Sequence, residues 1–312
     1  MELSDILLRA ERYSNWGRWG DTDQRGALNF IGPDEIRRAA ALVREGRTYS
    51  LAMPFERDGA QPSTTLRTNP VHVMLKHGGD VLMAGQFGGP RVAFTDDAVY
   101  MPLQCGTQWD SLAHVFFDGR MYNDYGPEWV TCEGAARNAI TVHSDRLVAR
   151  GVLLDVAAHH RVDALADGYA ITASDLGRCA ADQNVEIGRG DIVLVRTGHL
   201  EKLRREGRLQ ASIGAAPGLS IDATDFLCPR DVAAVAMDTY STEVSPPEVP
   251  EIATPMHVIL LVHAGMLLGE LFHLQELAAA CAADGCYEFL LVAPPLPVSG
   301  GVGSPANPQA IR

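Results

Sequence analysis

Leu103-Gln104-Cys105-Gly106-Thr107-Gln108-Trp109-Asp110-Ser111-Leu112-Ala113-His114 is the stretch on which the reading of this chain turns. Between Gln104 and His114 it carries two amides, a carboxylate and an imidazole. Gln104, Gly106, Gln108 and Asp110 share one parity, and same-parity side chains of an extended strand point to one face. Three oxygen donors would then converge, with Gly106 leaving room between them for an ion or a substrate. The other reading of the stretch alone is a polar strand edge running into a loop. Asp110 and His114 lie four apart, and a carboxylate that binds a metal beside an imidazole that takes a proton is a workable hydrolytic pair.

Around this stretch the 312 residues are 46% hydrophobic and 21% charged, the balance of an ordinary globular chain long enough for one large or two modest domains. The net charge of -13 leaves no basic footprint for nucleic acid or an anionic membrane surface. The longest apolar run, Val258 to Leu268, is interrupted by His263 and is too short to span a bilayer. Six scattered cysteines form no C-x-x-C pair and no apolar leader opens the chain, so reduced thiols and a cytoplasmic location are expected. G-x-G-x-x-G between a strand and a helix, G-x-x-x-x-G-K-[ST] and G-x-S-x-G are all absent, which removes nucleotide-phosphate and serine-hydrolase readings.

Secondary structure is expected to alternate irregularly. Helices are expected at Asp5 to Tyr13, Pro33 to Val43, Leu176 to Gln183, His257 to Ala264 and Leu274 to Ala283. Strands are expected at Tyr49 to Met53, Val71 to Leu75, Asp80 to Ala84, Val152 to Val156, Ile192 to Val195, Val232 to Met237 and Met266 to Leu271. Phe289 to Val292 reads as the last core strand. Residues 58–69 read as a loop or flap, Gly85 to Pro90 as a turn and Gly300 to Arg312 as a Gly/Pro-rich tail. Hairpins early and α/β units later argue for one α/β domain with a mixed sheet, and residues 1–48 read as an N-terminal helical extension.

His257 and Glu270 stand in or beside apolar runs, where a buried charge needs a partner. On one straight helix they would lie about 220° apart in azimuth and about 20 Å apart in rise. They converge only if Gly265 turns a helix into a strand; otherwise a salt bridge from Glu270 to an arginine is the ordinary solution. Asp238 and Glu243 follow a core strand and read as turn caps more than as pocket residues. His72, His77, His143 and His199 have no partner nearby in sequence, and His263 reads as a positive group at a helix end.

Gln104-x-Gly106-Thr107-Gln108-x-Asp110-x-x-x-His114 resembles the H-x-G-T-H-x-D-x-P-x-H signature of the metal-dependent cyclase-like hydrolases. That family includes bacterial kynurenine formamidases, isatin hydrolases and some polyketide-pathway cyclases. Supporting matches are Gly26-Ala27-Leu28-Asn29, Trp109 to Tyr125, Gly190-Asp191-Ile192 and Pro255 to Glu270. The resemblance implies a swivelling β/β/α fold assembled as a homodimer or homotetramer. It places Gln104, Gln108 and Asp110 at the metal-binding positions of the signature and His114 at the general acid/base. His257, in Pro255-Met256-His257, and Glu270 match a later histidine and glutamate of the metal site.

Two departures matter: glutamines stand for both early histidines, and Leu112 stands for the motif proline. An amide oxygen is a harder and weaker ligand than imidazole nitrogen. A branch resembling trans-dienelactone hydrolases carries a similar Q-x-x-x-Q pattern. The expectation is therefore a hydrolase with one divalent metal, zinc or manganese, opening a cyclic ester or amide of a small molecule. Trp109, Phe116 and Tyr122 are expected to line its pocket. The alternatives are a metal-free cyclase or dehydratase relying on His114, and an inactive protein that keeps the fold and binds a ligand.

Overall fold

The computed structural model describes residues 2–62, 66–82 and 92–312. In chain order the strands that matter are β1 (Thr48–Ser50), β2 (Val71–Lys76), β3 (Asp96–Tyr100), β4 (Gln108–Asp110), β5 (Val148–Asp155), β6 (Ile192–Arg196), β7 (Ala234–Met237), β8 (Leu267–Glu270), β9 (Glu288–Val292), β10 (Gly303–Pro305) and β11 (Gln309–Ile311). Nine of them form one mixed sheet in the order β1-β11-β9-β5-β6-β7-β8-β4-β10. The four central strands, β5 to β8, run parallel. Antiparallel strands flank them on both sides. The mixed α/β architecture expected from the sequence is the one observed. Among the described residues no helix is long and apolar enough to cross a membrane.

The parallel strands are apolar on both faces, as strands covered on both sides must be. Their alternate residues feed two cores. Val152, Leu154, Val193, Val195, Val235, Met237 and Leu268 pack on one side. Ala149, Leu153, Ile192, Leu194, Ala234, Ala236 and Leu267 pack on the other. The helix Leu3–Arg12 lies outside both, packing Ile6 against Val258 and Ile259.

Several expectations are corrected. Over residues 78–82 the chain forms a short helix, Gly78–Leu82, where a strand was expected; Met83, Ala84 and the expected turn at Gly85 to Pro90 lie outside the described residues. The Gly/Pro-rich C-terminal tail contributes two strands for which no expectation was stated, since β10 and β11 both enter the main sheet. Pro305 is tolerated because β10 is an edge strand, where a missing N–H costs no ladder bond. A tight turn forms at Asp118-Gly119: Phe117 and Arg120 exchange backbone hydrogen bonds around two residues of positive φ, the conformation such two-residue loops favour.

The segment His257–His263 is helical but wound as a π-helix. Gly265, at φ +64°, ends it, and a Cβ there would stand 2.4 Å from the Tyr122 ring. The left-handed turn and this contact both require glycine. The chain then enters β8 directly, so helix start and strand end are brought to the same place.

Candidate metal centre

β4 and β8 pair antiparallel with Gln108 opposite Glu270 and Trp109 opposite Gly269. Side chains of directly opposed residues on one face meet, and Gln108 Nε2 donates to Glu270 Oε2 at 3.0 Å. Asp110, two residues on, shares that face. His257 comes from the start of the π-helix: its Nε2 stands 3.5 Å from Asp110 Oδ2 and 3.6 Å from Glu270 Oε1. Asp110, His257 and Glu270, all buried, each offer one ligand atom, and these atoms lie within 4.8 Å of one another. The separations exceed a direct hydrogen bond of about 2.9 Å. They suit two ligands of one ion, which at about 2.1 Å and a tetrahedral angle stand about 3.4 Å apart.

The surroundings make the same case. His257 Nδ1–H donates to Glu243 Oε2 at 2.9 Å, and Ser241 Oγ donates to Glu243 Oε1 at 2.5 Å. A carboxylate on Nδ1 fixes the tautomer and presents the Nε2 lone pair to the centre. Asp110 Oδ2 and Gln108 Oε1 are buried and accept no hydrogen bond among the described residues, an arrangement costly to leave unmade. Burial by itself favours neutral His257, but the Glu243, Asp110 and Glu270 carboxylates outweigh it and hold its pKa well above the ordinary value. Burial, reinforced by the Asp110 charge, pushes Glu270 up to about 7. For Asp110 burial opposes ionisation, yet His114, His257 and Arg67 win and hold it low. The cluster thus demands positive charge, which a proton on His257 meets singly and a divalent cation meets more fully. The donors present fit such an ion.

His114 stands at the edge with Nε2 3.8 Å from Asp110 Oδ1, its side chain 21% exposed. The Asp110 charge favours its protonation, but burial and the nearby positive His257 and Arg67 outweigh it and lower its pKa. Arg67 donates to the Gln104 carbonyl at 3.3 Å and to the Tyr240 hydroxyl at 3.1 Å. That hydroxyl donates in turn to Gln61 Oε1 at 3.1 Å.

The structure therefore brings Gln108, Asp110, His114, His257 and Glu270 together. Among the described residues Glu270 has no arginine partner; its partners there are Gln108 and His257. Gln104 is placed differently. Only Gln108–Asp110 is strand, so the shared parity does not extend back to Gln104. Among the described residues its buried amide Nε2 makes no hydrogen bond, and a Cβ on Gly303 would stand 2.5 Å from it. Gly106 opens no space for an ion, because a Cβ there would stand 2.8 Å from the Phe55 ring.

Two expected substrate contacts are core residues instead. Trp109 is wholly buried on the opposite face of β4, edge-on to Phe272, with its indole N–H on the Ala293 carbonyl at 2.9 Å. Tyr122 is also wholly buried, its hydroxyl donating to Asp23 Oδ2 at 2.9 Å. Phe116 is half-buried two residues beyond His114. Asp238 keeps the expected structural role, accepting from the Thr197 and Gly198 amides. Glu243 does not: it orients His257. Glu243, Arg67 and Tyr240 carry no signature spacing, and only the position of Glu243 after a core strand pointed toward a site.

Compared with known proteins, residues 49–244 match the family model described as Cyclase. The chain is similar to a solved structure described as a novel cyclase, with 38% identity, 97% of this chain and 99% of the other covered, and a TM-score of 0.90. It shares its fold with isatin hydrolase A from Labrenzia aggregata bound to benzyl benzoate, at 18% identity, 87% and 94% coverage and a TM-score of 0.62. An isatin hydrolase bound to the product analogue thioisatinate is alike at 16% identity, 90% and 98% coverage and a TM-score of 0.61. Among curated proteins compared by sequence, none matched.

Proposed function

The chain belongs to the Cyclase family, and from that premise we propose that it is a hydrolase with one divalent metal, zinc or manganese, that opens a cyclic ester or cyclic amide of a small molecule. The observation that carries this reading is His257, held by Glu243 on one ring nitrogen and facing Asp110 and Glu270 with the other. Asp110, His257 and Glu270 would hold the metal, with the unpartnered Gln108 Oε1 beside them. When bound, the metal supplies Lewis acidity, polarising a carbonyl and acidifying a water.

The chain's own groups supply the proton transfers. His114, its pKa lowered so that the neutral form is favoured, accepts a proton from the attacking water and returns one to the leaving group. Asp110 Oδ1, 3.8 Å from Nε2, stabilises the imidazolium formed between those steps. Gln108, by donating to Glu270, fixes which carboxylate oxygen turns to the centre. Half-buried Phe116 is the expected aromatic best placed to touch substrate.

The test is metal analysis of protein purified without chelator, combined with a panel of lactones, imides and formamides. About one zinc or manganese ion per chain and hydrolysis that stops on chelation and returns with the ion are expected, as for metal-assisted hydrolysis. Trace metal with turnover indifferent to chelator would replace this reading by metal-free acid/base chemistry. Ligand binding without turnover would remove the enzyme assignment altogether.

A further inference from the structure

The π-helix His257–His263 carries the histidine of the metal centre at its first residue. Its other end is held by a part of the chain distant in sequence. Four successive carbonyls there, those of Val262, His263, Ala264 and Gly265, each accept a hydrogen bond from the residues that follow the first helix. Trp16 Nε1–H donates to Val262 at 2.7 Å and the Asn15 backbone N–H to His263 at 2.9 Å. Asn15 Nδ2 donates to Ala264 at 2.8 Å and the Ala27 backbone N–H to Gly265 at 2.7 Å. The Trp16 ring also lies flat on the His263 ring, with 5.2 Å between centroids and 7° between planes.

The last carbonyls of a helix have no partner within it and must find one outside. Asn15 and Trp16 together cover three of these four. They are themselves fixed to the body of the protein. Buried Asn123 accepts from the Gly17 backbone N–H at 2.8 Å and donates to the Gly20 and Asp23 carbonyls at 3.1 and 3.0 Å. The clamp therefore has an anchor independent of the helix that it holds.

What the clamp holds is the winding. The Ala264 N–H bonds to the Ile259 carbonyl at 2.9 Å, five residues back, so the turn contains one residue more than an α-turn. Such turns are rare and are frequent at functional sites. Relaxing to an α-turn would pass that residue out of the helix. It would carry the opposite end round the axis by about 100° and along it by about 1.5 Å. At His257 a movement of that size takes Nε2 away from Asp110 and Glu270, whose oxygens stand 3.5 and 3.6 Å from it. We propose that Asn15 and Trp16 are positioning residues of the metal centre, capping the π-helix so that His257 stands where Asp110 and Glu270 meet. The proposal rests on the reading of those three residues as metal ligands, and Asn15 and Trp16 act on them through the helix.

Competition for zinc with a chelator of known affinity, and the visible spectrum of the cobalt(II)-loaded protein, test this on the full chain. Trp16→Phe keeps a flat ring and loses the N–H. Asn15→Asp keeps the size and loses the side-chain donor. Each is expected to weaken zinc affinity about 10-fold, the lower end for residues that orient a ligand from outside the coordination shell. Each should also shift the cobalt bands, which follow ligand geometry. Tyr13→Phe is the control: it loses the bond from the same segment to Asp225 and leaves all four carbonyls covered. Whatever its effect on the unfolding midpoint, it should keep the native zinc affinity and cobalt spectrum. If Asn15→Asp loses its far-UV circular dichroism, Trp16→Phe decides alone. Native affinity and a native spectrum in Trp16→Phe overturn the proposal. An equal loss of affinity in Tyr13→Phe overturns it too, because general stability would then govern the metal. A native protein that takes up neither zinc nor cobalt overturns the metal reading itself, and this proposal with it.

Discussion

The Glu243 carboxylate accepts the Nδ1–H of His257 at 2.9 Å, and this one bond decides which ring nitrogen faces Asp110 and Glu270. Removing its charge while keeping its shape should loosen the metal without unfolding the chain. Glu243→Gln is expected to weaken metal affinity about 10- to 100-fold, the range for partners that orient a ligating histidine. Competition with a chelator of known affinity measures it, and an unchanged affinity would separate Glu243 from the site.

In the proposed reading His114 moves protons, and the ion is left to the cluster of potential ligand atoms made by Asp110, His257 and Glu270. His114→Ala should keep its full metal content and lose about 10²- to 10⁴-fold in kcat, the usual contribution of a positioned acid/base. Loss of the metal along with the activity would instead make His114 a ligand.

Trp109 offers the opposite contrast. Wholly buried against Phe272, it should matter for stability and not for substrate affinity. Trp109→Ala is expected to cost about 3–5 kcal/mol in urea unfolding, as large-to-small changes of buried aromatics do. Trp109→Phe, which keeps most of the packing, should leave KM unchanged, and a KM that rises with Trp109→Phe would restore the residue to the pocket.

His143 supplies a pH dependence far from the metal centre. It is wholly buried with neither ring nitrogen hydrogen-bonded, and burial depresses its pKa to about 4 from 6.5. The unfolded chain therefore binds a proton at a higher pH than the folded one. The contribution is fully present above pH 6.5 and is lost as the pH falls from there toward 4. The difference of about 2.5 units at 1.36 kcal/mol each is of order 3 kcal/mol. Between pH 7 and 4 the unfolding midpoint of the native protein should fall more steeply than that of His143→Leu, the variant gaining on the native protein as the pH falls. Parallel curves would show that His143 does not carry the effect.

What could be read in advance follows from which patterns are local. Apolar runs on β5, β6, β7 and β8 announce buried strands because these strands are covered on both faces, and the placing of Gln108 and Asp110 on one side of β4 is simple alternation. The same alternation sends Trp109 to the other side, so its core role was present in the sequence and was overridden by its neighbourhood to the motif. Convergence of His257 and Glu270 hinged on Gly265, whose turn the sequence could suggest but not orient. Glu243 and Arg67 reach the centre through long-range folding from loops without periodicity. β10 and β11 were hidden because Gly and Pro argue against strand everywhere except at an edge or close contact, and β10 is both.

The position of β4 within the sheet has a consequence for how the protein is made. Its two neighbours, β8 and β10, come from far later in the chain, and the Gln108–Glu270 bond spans 162 residues. Synthesis from the N-terminus delivers Asp110 and its surrounding motif long before any strand exists to pair with them. Closing so long a loop is slow, and until it closes the strand edges of β4 stay open to other chains, an exposure that favours aggregation. The centre is accordingly assembled only after β8 has been made, and yields of soluble protein should respond to the rate of synthesis and to chaperone supply.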